Sequence, residues 1–169
     1  MADDGSMDPN TPSPADDREP AEHRRFARYL EALETVAEAD EAGLVAAVLD
    51  DRDALMADSA VSRHLDRRAA ALLGGPAFTE WVRTLADVVA GSDFLTLRLR
   101  EWSLLHSIAR GRPWTTDELT EASDWFQRTA VTTSAVTDPG ALELLARSGR
   151  TRRVRVAASR RLREVGRAG

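Results

Sequence analysis

Apolar residues fall three and four positions apart from Phe26 to Val165, and that spacing restricts the chain to α-helices. A half-buried strand needs strict alternation, and no two alternating runs joined by a turn signal occur. Val131 to Thr137 is the most strand-like stretch. A lone strand has nothing to pair with, so it reads as a linker or a frayed helix end. The expected fold class is all-α, a single helical domain of about seven to nine helices.

Turn and cap residues divide the pattern. The spacing predicts a first helix over 20–39 with stripe residues Phe26, Leu30, Leu33 and Val36, and Pro20 suits its first turn. Asp40 is expected to cap a short helix through Val45 and Val48, and the acidic run Asp50 to Asp53 ends it. Asp58 or Ser59 is expected to cap the next helix, with Leu65, Ala69 and Leu72 inward. Gly74-Gly75-Pro76 breaks it. A helix with Phe78, Trp81 and Leu85 follows, then Ser92 opens residues 94–109, the most apolar helix and the expected centre of the core. Thr115 with Glu118 forms a capping box, and one helix is expected to run on from it past Phe126. Asp138-Pro139 reads as an N-cap with proline at the first helical position. Gly149 reads as a C-cap, and the last helix covers about 151–165.

Residues 1–19 hold acids, prolines and small polar groups, with Met1 and Met7 as the large apolar side chains. Such a stretch buries too little to offset its ordering entropy. It is expected to be a disordered acidic tail, leaving 20–169 as the helical domain. No basic region followed by an apolar run opens the chain, and Leu44 to Leu49 is far too short to span a bilayer. A cytoplasmic location without membrane contact is the expectation. The chain has no cysteine, which excludes disulfides, thiolate metal sites and cysteine nucleophiles. All 23 basic residues are arginine. That bias is similar to the codon preference of a GC-rich genome, of an actinobacterial type for example.

Residues 138–165 resemble a HEAT repeat, a pair of antiparallel helices. Leu142, Leu144 and Leu145 match its leucine-rich first helix. Val154-Arg155, Ala157-Ala158 and Leu162 match its second. The alanines let two helices approach closely and the leucines fill the layer between them. The match covers 28 of the 169 residues. Leu65, Ala69-Ala70 and Leu73 resemble its second helix, with the alanine pair one position later. The resemblance implies a binding scaffold and carries over no catalytic residue.

Charge supplies the candidate site. Residues 139–169 carry nine arginines against Glu143 and Glu164, a net of +7, whereas residues 1–66 carry six arginines against seventeen carboxylates, a net of −11. On a helical wheel Val154, Ala158, Leu162 and Val165 share one narrow sector, and Arg152, Arg153, Arg160, Arg163 and Arg167 gather opposite. Guanidinium groups fit carboxylates and phosphates. The bland alternative is a solvated face in an arginine-biased chain. Arg161 points toward the apolar sector and is expected to snorkel outward. Trp114 beside Arg112 on a loop is a further candidate contact. The acidic residues Asp3, Asp4, Asp8, Asp16 and Asp17 are candidates to fold over the arginines.

Other motifs fit structural duties. Asp50, Asp51 and Asp53 resemble the Mg²⁺-binding aspartates of helical prenyl-transfer enzymes, but no second acidic motif follows, and capping accounts for them. Glu118, Glu121 and Asp124 resemble half of the metal motif of helical nucleotide pyrophosphohydrolases, with no second half within reach. An acidic surface face, with Arg128 as partner to Asp124, is the simpler reading. His23, His64 and His106 show no ligand spacing, and no cofactor is expected. His106 reads as a hydrogen-bonded core histidine.

The leading expectation is a non-enzymatic protein-binding adaptor using Arg152, Arg153, Arg160, Arg163, Arg167, Arg112 and Trp114, with a partner of acidic surface. Binding of nucleic acid through its phosphates is the alternative. Against it stand the acidic chain as a whole and the absence of aromatic, Asn or Gln side chains in the basic stretch. A small metal-dependent hydrolase using Glu118, Glu121 and Asp124 is a third.

Overall fold

A computed structural model describes residues 21–168, and they contain helices and no strand. Nine α-helices follow in order: α1 (Ala21–Thr35), α2 (Glu41–Leu49), α3 (Ala54–Leu72), α4 (Phe78–Ala86), α5 (Asp93–Ala109), α6 (Thr116–Glu121), α7 (Asp124–Thr132), α8 (Pro139–Ser148) and α9 (Arg152–Ala168). The all-α expectation therefore holds for this region. The expected acidic tail lies outside the described residues.

Local side-chain caps set most boundaries. Asp53 accepts the Met56 N–H, Ser92 the Leu95 N–H and Asp138 the Ala141 N–H, each satisfying a donor that the helix leaves orphaned. The capping box is present: Thr115 Oγ1 accepts from Glu118 N while Thr115 N donates to Glu118 Oε2 at 2.8 Å. α5 ends in a Schellman motif. Gly111 N donates to Ile108 O, Arg112 N donates to Ser107 O, and Gly111 takes φ +62°, which an L side chain adopts only under strain.

Three boundaries differ from the expectation. α1 stops at Thr35, and a short 3-10 turn, Glu38–Asp40, leads into α2. Asp40 stands before α2 but its side chain makes no cap bond. α3 starts at Ala54, because Asp53 caps it and the buried stripe already begins at Ala57 and Ala60. Asp58 instead accepts from Ser92 Oγ at 2.8 Å and ties α3 to the start of α5. The single helix expected after Thr115 is two helices. Ser123 caps α7 through Phe126 N, and its own N–H donates to the buried Glu101 carboxylate on α5 at 2.8 Å.

α3 and α5 form the spine. α1 and α2 pack on α3, while α4 and α7 pack on α5; α6 packs on α8, and α7 and α8 both pack on α9. The centre thus belongs to two helices, not to α5 alone. Leu65 of α3 and Leu95 and Leu105 of α5 are fully buried, whereas Phe94 and Leu97 on the other face of α5 are about half exposed. Each fully buried leucine contributes about 1.5–3 kcal/mol. His106 is a core histidine as expected. Its Nδ1 meets the Leu73 carbonyl at 2.6 Å and its ring stacks on Phe78 at 4.3 Å.

One buried amide fastens the C-terminal helices to the rest. Gln127 of α7 is fully buried; its Nε2 donates to Leu119 O and its Oε1 accepts from Arg150 N at 2.9 Å. Gln127→Leu keeps the volume but leaves a buried carbonyl and N–H without partners. The expected loss is about 1–2 kcal/mol, read by urea unfolding. An unchanged midpoint would mean that water replaces both bonds.

Candidate functional site

The C-terminal helix pair carries the arginine face. α8 and α9 are joined by three residues, and Arg161 far along α9 contacts the segment just before α8, so the two helices run antiparallel. Val154 and Ala158 of α9 are fully buried, and Leu162 and Val165 pack against the core edge. The stripe opposite holds Arg152, Arg153, Arg160, Arg163 and Arg167, all exposed. Val156 lies among them and is 60% exposed.

Two other α9 arginines have structural roles. Arg155 Nη1 donates to Gly149 O at 2.7 Å and closes the turn between α8 and α9. Arg161 Nη2 donates to the carbonyls of Ser134 and Val136. Its side chain is 16% exposed. It neither snorkels into solvent nor pairs with a buried carboxylate; it holds the α7–α8 connection against α9 because that loop presents carbonyls without helical partners.

A groove of about 780 Å³ runs between α9 and the end of α7. Val131, Val156 and Ala157 give it an apolar floor, and Arg152, Arg153 and Arg160 border it. Glu164, also at the groove, pairs with Arg160 at 3.0 Å. Arg152 and Arg153 have no ion-pair partner among the described residues. An exposed pair such as Arg160–Glu164 is worth about 0.3–0.5 kcal/mol and yields readily to a competing carboxylate.

The other expected contact residues are placed elsewhere. Arg163 and Arg167 share the exposed face of α9 but do not line the groove, and neither do Arg112 and Trp114. Trp114 is half-buried and packs toward the core beside Gly140 at the start of α8. The break at Ala122-Ser123 puts Glu121 and Asp124 on different helices, while Asp117, Glu118 and Glu121 line one cavity with Arg150. Asp124 meets Arg150 at 3.6 Å, not Arg128. In the DDRD run, Asp51 accepts from the Tyr29 hydroxyl at 2.6 Å and from Asp53 N, and Arg25 stands 3.1 Å away. The Tyr29 bond, then the Asp53 N–H, hold the Asp51 carboxyl below its ordinary range; the same bond raises Tyr29. Among the described residues no three histidine, aspartate or glutamate side chains converge as metal ligands would.

Two polar clusters escaped the sequence. Glu41, at the start of α2, is 3% exposed. Its carboxylate accepts from His64 Nε2 at 2.7 Å, Trp81 Nε1 at 2.9 Å and Arg68 Nε at 3.2 Å. Arg67 Nη2 donates to His64 Nδ1 at 3.1 Å, so that nitrogen is an acceptor and the ring proton sits on Nε2, facing Glu41. Burial would raise the Glu41 pKa, but the bonds from His64, Trp81 and Arg68 outweigh it and bring it from 4.5 to about 2. The available signal was Glu41 in register with buried Val45 and Val48 on one face of α2. In the second cluster Asp66 accepts from Arg98 at 2.7 Å and Trp102 Nε1 at 2.8 Å, and the Arg98 guanidinium lies 3.6 Å from the centre of the Trp125 ring. Both clusters join helices of the core.

No helix among the described residues is long and apolar enough to cross a membrane. Comparison with protein-family models, curated proteins and solved structures finds no match to this chain.

Proposed function

We propose that the chain is a non-enzymatic adaptor that binds an acidic segment of another protein in the groove between α7 and α9. The observation that carries this reading is the groove's composition: exposed guanidinium groups surround an apolar floor centred on Val156. Carboxylates flanking an apolar side chain complement that pattern, with charge giving specificity and the floor giving burial. α8 and α9 are proposed to act as a HEAT-like unit that presents the face. Phosphates would meet the arginines equally well, but a nucleic-acid surface offers flat bases for which the groove has no aromatic stacking partner.

The test is capture of partners by the full chain from its own lysate, with and without nuclease, beside the triple variant R153E/R160E/R163E. A protein partner should persist after nuclease and disappear with the variant. The variant should lose no more than a few degrees of thermal midpoint, since exposed substitutions cost about 0.5 kcal/mol or less each. Partners that vanish on nuclease treatment would replace this reading with phosphate-backbone binding.

A further inference from the structure

We propose that the acidic N-terminal segment of this same chain, residues 3–17, occupies the α9 groove and competes there with the partner. The proposal rests on the reading of that groove as a binding site.

Charge complementarity is the first argument. Residues 1–20 carry six carboxylates against Arg18, and the groove offers Arg152 and Arg153 without ion-pair partners among the described residues. The pattern agrees as well as the sign. Met7 lies between Asp3-Asp4 and Asp8, an apolar side chain with carboxylates on both sides. The groove holds Val156 between Arg152-Arg153 and Arg160. Seating Met7 on Val156 places both acidic flanks against arginines.

Reach is the second argument. At about 3.3 Å per extended residue, the fourteen residues from Met7 to Ala21 span ~46 Å. A compact domain of this length is ~40 Å across, so the segment covers most of the ~60 Å path between opposite poles of its surface. Contact of this kind is screened by salt, because the Debye length shrinks from ~10 Å at 0.1 M to ~3 Å at 1 M.

The absence of native cysteine allows a single label in the full chain. A nitroxide on Ser6→Cys should raise the transverse relaxation of amides in Thr132 and Arg152 to Glu164 severalfold at low salt. The effect should vanish at high salt, in the full chain with Asp3, Asp4 and Asp8 changed to Asn, and in R153E/R160E. Unaffected α9 amides at low salt would overturn the proposal, as would broadening that survives the Asn changes. The label reports contact within one chain and needs no partner. Broadening without any captured partner would sink the adaptor reading and leave the contact within the chain standing; a captured partner without broadening would overturn that contact and leave the adaptor reading.

Discussion

Glu41→Gln should lower the unfolding free energy by about 3 kcal/mol at neutral pH, the usual cost of breaking a buried charged pair. The carboxylate serves three donors on two helices, His64 and Arg68 on α3 and Trp81 on α4. An amide offers one acceptor oxygen and turns its own N–H groups toward those donors. The sign of the pH dependence follows from the folded pKa lying below the ordinary value. Glu41 contributes its full stabilisation above about 4.5, and that contribution is lost as the pH falls through about 2. Urea unfolding at pH 7 and pH 2 checks both parts. Wild type and variant should differ strongly at pH 7 and converge at pH 2. A gap that stays constant with pH would locate the loss in packing and not in the carboxylate.

Gly149→Ala should cost about 2–3 kcal/mol, at the upper end for overpacking, and lower the thermal midpoint by roughly 4–12 °C for a domain of this size. A Cβ there would stand 2.5 Å from the Leu145 carbonyl oxygen and 2.8 Å from Val154 Cγ1. The first of these is backbone in the last turn of α8, so relief requires the turn itself to move. Gly149 is the C-cap of α8, as expected. It has φ −58° and ψ 139°, a conformation open to any residue. Glycine is required here by the nearness of the Leu145 carbonyl and of Val154 on α9, which calorimetry of the alanine variant tests. A midpoint unchanged from wild type would show that the turn relaxes freely.

Features encoded within four residues were legible in the sequence. The Thr115–Glu118 box, the Ser92 cap and the Asp138-Pro139 start each depend on a side chain and the backbone beside it. The exposed arginine stripe of α9 was legible for the same reason, since helical periodicity alone sorts it from Val154 and Ala158. The break between α6 and α7 was not. Ala122-Ser123 carries no glycine or proline, and the break is stabilised by Glu101, twenty-two positions away. The Glu41 cluster draws on residues 23, 27 and 40 positions distant, and no local pattern encodes such a meeting. The groove was half legible. Its arginines lie in one helix, but its far wall, Val131 and Thr132, comes from a segment that reads as a linker.

The two carbonyl bonds of Arg161 bear on how the groove meets a ligand. They fasten the Ser134–Val136 loop, which follows the Val131–Thr132 wall, to α9, so the backbones on the two sides of the groove are tied together. Little backbone freedom is then left for this side to surrender on association, and the entropic penalty falls on its exposed arginine side chains and on the incoming segment. Under the proposed reading, a ligand already shaped as a helix would surrender less than an extended one, and rigidity in the visitor would be the quality by which the groove selects.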